Sequence, residues 1–208
     1  MNTYKTDQEA FWAGEFGDAY VARNEGAQWI ANNLALFSRI LARTGKIGSV
    51  IEFGANIGLN LQALRHLLPA AELAAIEINA QAVAELSKMP RLTVHHGSIL
   101  DFRTDQPADF ALIKGVLIHI NPDKLTEVYD SLHAASRCYL CLAEYYNPQP
   151  VAIPYRGHAD RLFKRDFAGE MLRRFSDLRL VDYGFVYHGD PHFPQDDITW
   201  FLMEKTSV

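Results

Sequence analysis

The sequence has few of the features that mark secreted, membrane or nucleic-acid-binding proteins. Only two of its 208 residues are cysteines, and 20 Lys and Arg against 25 Asp and Glu give a net charge of −5. Because nucleic acids and acidic lipids attract proteins with an excess of cations, we expect neither partner. The apolar runs are shorter than the roughly 20 residues that cross a membrane, and the first residues lack an apolar signal segment. We therefore expect a cytoplasmic protein.

The sequence also lacks a convincing metal site. Cys138 and Cys141 form a C-x-x-C within an apolar stretch that predicts a strand, where their side chains would point to opposite faces. No second ligand pair accompanies them, so we predict two buried thiols and not a zinc or redox site. Residues 188–197 hold two His and three Asp, but a polar loop explains them equally well. We predict no metal.

What the sequence does contain is a regular alternation of strand and helix patterns. No repeat, low-complexity run or linker divides the chain, so we predict one domain over residues 1–208. After a helical leader at about 7–42, the predicted strands are 48–54, 73–78, 92–96, 109–118 and 138–146. The predicted helices are 57–68, 80–88, 122–135 and 161–175. Such alternation favours a mostly parallel sheet with helices on both faces, a doubly wound α/β fold.

The C-terminal part of the sequence breaks this alternation. Residues 178–187 and 197–204 have strand patterns with no helix between them, which predicts an antiparallel hairpin. An open parallel sheet that ends in such a hairpin is unusual for a nucleotide-binding fold.

The turn after the first strand, residues 52–58, is where an open α/β sheet binds its ligand. Asn56 stands where a dinucleotide-binding turn needs its second glycine, and no P-loop follows, so phosphate is not the expected ligand. Glu77, 25 residues after Glu52, is placed to accept both hydroxyls of a ribose. Glu52 itself would favour an ammonium or a sulfonium over a diphosphate. These residues together indicate S-adenosylmethionine as the cofactor.

On these residues the sequence resembles the class I S-adenosylmethionine-dependent methyltransferases. Their acidic strand end, glycine-rich turn and ribose-binding acid are matched by Glu52, Gly54, Gly58 and Glu77. The resemblance implies a Rossmann-like methyltransferase fold with seven strands and an antiparallel C-terminal hairpin. It also implies an adenine-binding turn, in which an Asp is commoner where Ser98 stands, and a segment that holds the methionine part. The further cofactor-binding residues are then Ala55, Asn56, Ile78, Gly97, Ser98, Ile99, Lys114 and Gly115.

A closer resemblance extends over most of the chain. The segments Phe11–Asn24 and Tyr155–Glu170 are similar to the methylases associated with pseudaminic acid biosynthesis, a context of surface-glycan gene sets. This resemblance gives a context and not a substrate. Together with the basic residues around Arg156 described below, it leads us to expect a methyltransferase acting on an anionic small molecule, such as a sugar or sugar nucleotide.

The N-terminal segment, residues 1–45, is predicted to form a helical lid over an α/β core at 46–208. Trp12, Phe16 and Tyr20 have helical spacing, and ordinary packing on the core is the alternative explanation for them. If the segment covers the strand ends, Tyr20 and Arg23 are the residues expected to reach the methionine part or the acceptor.

Candidate acceptor residues follow the fourth and fifth predicted strands. Arg156, with Lys164 or Arg165, would hold a carboxylate or phosphate, although an exposed charged helix face is the alternative. A methyl acceptor must be aligned with the sulfonium, and a hydroxyl acceptor gains from a base. His119 is the first candidate base, with His158 and Tyr145 as alternatives, although a lone His beside apolar residues is more often structural.

Two other functions are compatible with the same sequence features. An NAD-linked oxidoreductase would have to fit a diphosphate past Asn56, and a non-catalytic protein would bind the cofactor without consuming it. The sequence does not distinguish oxygen, nitrogen and carbon as the methylated atom, or a monomer from a homodimer.

Overall fold

The computed structural model describes residues 4–21, 23 and 26–206, which form a three-layer α/β structure. The helices are α1 (Asp7–Ala13), α2 (Glu15–Val21), α3 (Ala27–Leu41), α4 (Leu59–Leu67), α5 (Ala80–Leu86), α6 (Leu125–Ala135) and α7 (Phe167–Arg174). The strands are β1 (Ser49–Phe53), β2 (Glu72–Glu77), β3 (Leu92–His96), β4 (Ala108–Lys114), β5 (Ser136–Glu144), β6 (Val151–Tyr155), β7 (His158–Lys164), β8 (Leu178–Val186) and β9 (Ile198–Lys205).

Seven strands form the central sheet, in the order β3-β2-β1-β4-β5-β9-β8. The pairs from β3 to β5 are parallel, whereas β9 is antiparallel to both β5 and β8. The predicted fold class is therefore confirmed, including the C-terminal hairpin. Because the strand order reverses between β1 and β4, the carboxyl ends of these strands open a crevice at that point.

Apolar side chains are buried on both faces of the sheet, as expected for parallel strands covered by helices. Along β1, Ile51 and Phe53 face a core shared with α6 and α7, and Val50 faces a second core shared with α3 and α4. Side chains at alternate positions of β1 therefore pack into two separate cores, one on each face of the sheet. Glu52, on the same face as Val50, is the polar exception, and it lies at the crevice.

The predicted helix at 161–175 is wrong in its first half. Residues up to Lys164 belong to β7, which pairs with β6 in a separate two-stranded sheet, and the helix begins only at Phe167. Arg156 and Gly157 connect the two strands with φ values of 48° and 85°, the left-handed geometry of a tight hairpin turn. Because Arg-Gly is a weaker turn signal than Asn-Gly, the hairpin was hidden in the sequence. The basic residues at 155–165 therefore lie on a hairpin and not on a helix face.

The leader predicted as one helical segment at about 7–42 consists of three helices. α1 ends at Ala13, before the capping residue Gly14, and α3 begins after Gly26. Asn24, the last residue of the first resemblance segment, lies outside the described residues. None of the described helices is long and apolar enough to cross a membrane.

Gly58, the capping residue before α4, is a position at which the packing of the turn after β1 can be tested. Its φ is 81°, and an added Cβ would lie 2.7 Å from Met89 Sδ and 2.8 Å from Leu86 Cδ2. Gly58→Ala should therefore lower the free energy of unfolding by about 1–3 kcal/mol, through backbone strain and overpacking.

Chemical denaturation measures this difference, with Gly45→Ala as the control. An added Cβ at Gly45 would make an ordinary 3.5 Å contact with Tyr139 Oη, so its stability should match the wild type. Equal stability of the two variants would contradict the packing described for Gly58.

Candidate active site

A cavity of about 470 Å³ lies at the carboxyl ends of β1, β2, β4 and β5. Its walls also include residues of α1 and α2 and of the β6–β7 turn. Of the residues predicted from sequence, those that line it are Tyr20, Gly54, Ala55, Asn56, Glu77, Ile78, Gly97, Ser98, Ile99, Lys114, Gly115, His119, Tyr145 and Arg156. The fold therefore brings most of the predicted cofactor residues together with two of the predicted catalytic residues.

The turn after β1 has the left-handed backbone expected from its sequence. Gly54 and Asn56 have φ values of 73° and 48°, and a Cβ at Gly54 would lie 2.6 Å from Val116 Cγ2. The Asn56 N–H donates to Glu77 Oε2 at 2.7 Å, and the Asn79 N–H donates to Glu77 Oε1 at 2.8 Å. In a dinucleotide-binding turn, a backbone N–H at this position would donate to a phosphate. Here the Asn56 N–H donates to the Glu77 carboxyl group instead.

Glu77 is buried at the end of β2, and burial raises its pKa against the opposing effect of the backbone N–H donors. Each of its oxygens accepts one backbone hydrogen bond, and a carboxylate has lone pairs for about four. Acceptor positions therefore remain on a carboxyl group that is held in a fixed orientation at the cavity wall.

Glu52 is fully buried at the penultimate position of β1, beneath the cavity. Its Oε1 accepts a 2.6 Å hydrogen bond from Asn60 Nδ2, and its Oε2 has no partner among the described residues. Burial raises its pKa to about 8, while the Asn60 hydrogen bond and the Lys114 charge lower it. The fold therefore holds an incompletely satisfied carboxyl below the crevice.

Lys114 ends β4, and the charge of its ammonium group acts on both Glu52 and Glu144. Burial lowers its pKa, and the charges of Glu52, Asp196 and Glu144 act in the opposite direction. Within the described part of the chain, no carboxylate lies within ion-pair distance of its ammonium. A ligand carboxylate in the cavity would supply that partner.

The turn after β3 contains Ser98, at the position where an aspartate is commoner in the class I methyltransferases. The Ser98 hydroxyl donates to Glu9 Oε1 and accepts from the Leu100 N–H at 3.0 Å. Glu9 lies on α1, is buried, and lines the cavity. The N-terminal helix therefore brings a carboxylate to the turn that lacks one in its own sequence.

His119 lies in the short 3-10 helix that follows β4, and it is buried beside aromatic rings. Its Nδ1 is 2.6 Å from the Arg161 carbonyl oxygen, which only accepts, so the proton sits on Nδ1 and the Nε2 lone pair is left over. Burial lowers its pKa to about 4. Its ring centroid is 4.6 Å from that of Trp12 and 4.9 Å from that of Tyr155. His119 is thus a neutral hydrogen-bond acceptor near pH 7.

Several predicted site residues do not line the cavity, namely Arg23, Glu52, Gly58, His158, Lys164 and Arg165. Arg165 donates to Glu170 at 2.6 Å, so its guanidinium is engaged in an ion pair within the fold. The Lys164 ammonium lies 4.9 Å from the centre of the Tyr145 ring, and Arg23 donates to the Ala19 carbonyl. The exposed His158 packs against Phe11, with ring centroids 5.0 Å apart.

The residues that sequence reasoning missed come from strand ends and from the N-terminal helices. Glu144 is the last residue of β5 and lines the cavity, as do Glu9, Trp12 and Asn60. The rule that drew attention to Glu52 and Glu77, an acid at the carboxyl end of a strand, applies equally to Glu144. For Glu9 no sequence signal existed, because it reaches the site only through the placement of α1.

Buried polar atoms without a hydrogen-bond partner concentrate around this cavity. Among the described residues that line it or lie beneath it, these atoms are Gln8 Oε1, Trp12 Nε1, Glu52 Oε2, Asn56 Oδ1, Asn60 Oδ1 and Glu144 Oε2. Since buried polar groups are normally paired, this set indicates a polar ligand. In the loop at 188–197, Asp197 pairs with His188 and Asp190 accepts two backbone N–H groups, whereas Asp196 lines the cavity. The described residues contain no cluster of three metal-ligating side chains.

Comparison with known proteins gives a match in structure but not in sequence. No protein-family model and no curated protein sequence matches the chain. The first similar structure is a Burkholderia thailandensis 1,6-didemethyltoxoflavin-N1-methyltransferase with bound 1,6-didemethyltoxoflavin and S-adenosylhomocysteine. It is 18% identical, with a TM-score of 0.69 over 96% of this chain and 87% of that one. The fold is that of an S-adenosylmethionine-dependent methyltransferase.

Two further structures support the same assignment of the fold. The plantazolicin methyltransferase in complex with S-adenosylhomocysteine is 11% identical, with a TM-score of 0.67 over 96% of this chain and 94% of that one. An amino pentose methyltransferase from Micromonospora echinaspora with bound S-adenosylmethionine is 12% identical, with a TM-score of 0.65 over 99% of both chains. The resemblance to the pseudaminic acid-associated methylases stays a prediction.

From the raised pKa of the buried Glu52 carboxyl group, we predict how the free energy of unfolding depends on pH. Because its pKa is raised in the folded state, the native protein holds this proton more tightly than the unfolded chain does. Stability should therefore fall as the pH rises from about 5 to about 8. Glu52→Gln removes this titration and keeps an oxygen for Asn60, so its stability relative to the wild type should increase over the same range.

Urea denaturation at several pH values between 5 and 8.5 measures this trend. Glu72→Gln is the matched control, because Glu72 is exposed at the opposite end of the sheet and should follow the wild type at each pH. A constant difference between Glu52→Gln and the wild type would show that Glu52 does not titrate in this range.

Proposed function

We propose that this protein is an S-adenosylmethionine-dependent methyltransferase that acts on a small molecule. The observation that carries the proposal is Glu77, a buried carboxyl group held at the cavity wall by backbone N–H groups with acceptor positions left for a ligand. The structures with the same fold named above contain bound S-adenosylmethionine or S-adenosylhomocysteine, which supports the choice of cofactor.

The electrostatics of the cavity favour this cofactor over a dinucleotide. The acidic residues that line it are Glu9, Glu77, Glu144 and Asp196, and the basic ones are Lys114 and Arg156. A diphosphate at the first turn would face Glu77 where an N–H donor is needed, whereas a sulfonium is attracted by the surplus of carboxylates. An NAD-linked oxidoreductase is therefore the weaker candidate.

Each part of the cofactor has a matching group in the cavity. In our proposal Glu77 accepts from the two ribose hydroxyls, and the turn of Gly97, Ser98 and Ile99 receives the adenine. Glu52 attracts the ammonium of the methionine part, and the Lys114 ammonium pairs with its carboxylate. The cofactor supplies an electrophilic methyl group, and the protein fixes the direction from which a nucleophile approaches it.

The acceptor is proposed to be an anionic small molecule of the sugar or sugar nucleotide class. Arg156 lines the cavity and is exposed in the β6–β7 turn, with its guanidinium 5.7 Å from the Tyr155 ring centre. Lys164 lies near the same wall, over Tyr145. His119 would accept a hydrogen bond from the nucleophile through Nε2. Closure of α1 and α2 over the cavity, as a lid formed by residues 1–45, would exclude water from the reaction.

Binding of two cofactor fragments tests the proposed roles of Glu77 and Lys114 separately. S-adenosylhomocysteine carries the amino-acid tail, and 5′-methylthioadenosine lacks it. Glu77→Gln should weaken both ligands by about tenfold or more, because it disturbs the ribose contact. Lys114→Met should weaken S-adenosylhomocysteine by a similar factor and leave 5′-methylthioadenosine within twofold, because only the tail carries a carboxylate.

Isothermal titration calorimetry measures both dissociation constants, with Lys46→Met as a surface control for the loss of a lysine. No binding of S-adenosylhomocysteine to the wild type at high micromolar protein would refute the proposed function. Equal losses for both ligands in Lys114→Met would assign Lys114 a structural role instead.

Methyl transfer to a panel of sugar phosphates, sugar nucleotides and their uncharged sugars tests the acceptor class. Activity should be confined to phosphorylated members, and Arg156→Ala should raise KM for them about tenfold with a smaller change in kcat, because Arg156 binds the anion and not the reacting atoms. Lys46→Ala, on the opposite end of the sheet, should behave as the wild type. Unchanged KM and kcat in Arg156→Ala would remove its assignment.

A further inference from the structure

The carboxyl group of Glu144 has no role in the binding scheme above, although it lies in the same cavity. Its Oε1 accepts from the Val116 N–H at 3.0 Å and from the Leu117 N–H at 2.9 Å. These two donors fix the side chain against the segment that follows β4. The other oxygen, Oε2, is buried and has no hydrogen-bond partner among the residues described, and the side chain is only 4% exposed.

An unpaired carboxylate oxygen in such a place is costly unless a ligand donates to it. The Val116 and Leu117 N–H groups bind Oε1, and Glu144 lines the cavity, so we infer that a ligand in the cavity donates to Oε2. Lys114, the nearest cation on β4, has no ion-pair contact with Glu144 in the described structure. In the proposed binding mode the cofactor directs its own donors to Glu77 and Glu52, so the donor to Glu144 belongs to the second substrate.

We propose that Glu144 is a catalytic residue that binds the nucleophile of the methyl acceptor, and that this nucleophile is an amine. This inference rests on the proposed function and names the substrate class of the same site. An amine is favoured over a hydroxyl because the cavity lining carries four carboxylates against two cations, so an incoming ammonium is attracted. An anionic group elsewhere on the acceptor would still reach Arg156 at the cavity mouth.

The surroundings of Glu144 suit a proton acceptor better than those of His119. Burial raises the pKa of Glu144 to about 7, with the backbone donors and Lys114 opposing that rise, whereas His119 has a pKa of about 4. A base works best when its pKa is near the working pH. His119 and the buried Trp12 indole N–H then serve as hydrogen-bond partners that orient the acceptor.

The proposed step balances as follows. The Glu144 carboxylate takes one proton from the incoming ammonium, which leaves a neutral amine with a free lone pair. That lone pair forms the new N–C bond while the C–S bond breaks, and the electron pair of the C–S bond stays on sulfur. The products are a methylated ammonium, a neutral thioether and a protonated Glu144, which returns its proton to solvent.

Sinefungin tests the position of Glu144 without a known acceptor. In this analogue a carbon bearing an amino group replaces the methylated sulfur, so its ammonium occupies the place where methyl and nucleophile meet. The wild type should bind sinefungin at least threefold more tightly than S-adenosylhomocysteine. Glu144→Gln should reduce that preference about tenfold and leave S-adenosylhomocysteine within twofold, because the amide oxygen still accepts from Val116 and Leu117.

Calorimetry with both ligands on the wild type, Glu144→Gln and the control Glu72→Gln gives these ratios, and denaturation confirms that each variant is folded. The same preference for sinefungin in Glu144→Gln and the wild type would overturn the proposal. So would a wild type that binds sinefungin no better than S-adenosylhomocysteine, a result that does not depend on the variant. A wild type that binds neither ligand would refute the proposed function itself.

Discussion

The structure depends on how it holds carboxyl groups out of water at one end of a parallel sheet. Glu52, Glu77 and Glu144 lie at or next to the carboxyl ends of β1, β2 and β5, and each is almost fully buried. Burial of a charged carboxylate costs free energy unless its oxygens accept hydrogen bonds. Here backbone N–H groups and the Asn60 side-chain amide donate to some of these oxygens and leave others without a donor. The remaining acceptor positions are suited to ligands that bring hydrogen-bond donors or positive charge.

This constraint explains features of the first turn that a Gly-rich pattern alone does not. Asn56 turns its N–H toward Glu77, so the turn and the second strand are joined by a carboxylate where a dinucleotide fold would have phosphate. The same carboxylate orients the loop into α5 through the Asn79 N–H. The Asn79 side chain in turn donates to Asp18 of α2 at 2.7 Å, which connects the N-terminal helices to the part of the cavity that Glu77 lines.

The N-terminal helices complete the site. Gly17 allows α2 to approach closely, since a Cβ there would lie 1.8 Å from the Trp12 carbonyl oxygen and 2.8 Å from Asn79 Nδ2. That approach brings Trp12 beside His119, and Glu9 beside Ser98. The hydrogen bond between Ser98 and Glu9 links the turn after β3 to the N-terminal helices that line the cavity.

The sequence by itself determined the α/β alternation, the C-terminal hairpin and the acids at Glu52 and Glu77, because strand periodicity and strand-end position are local properties of the chain. Glu144 was equally accessible to that rule. Only the tertiary structure decided that residues 158–164 form a strand, since the left-handed turn at Arg156 and Gly157 depends on pairing with β6. It also decided that Glu9 and Trp12 belong to the site, and that Arg165 is engaged by Glu170. Contacts between residues far apart in sequence arise from packing, which leaves no periodic trace along the chain.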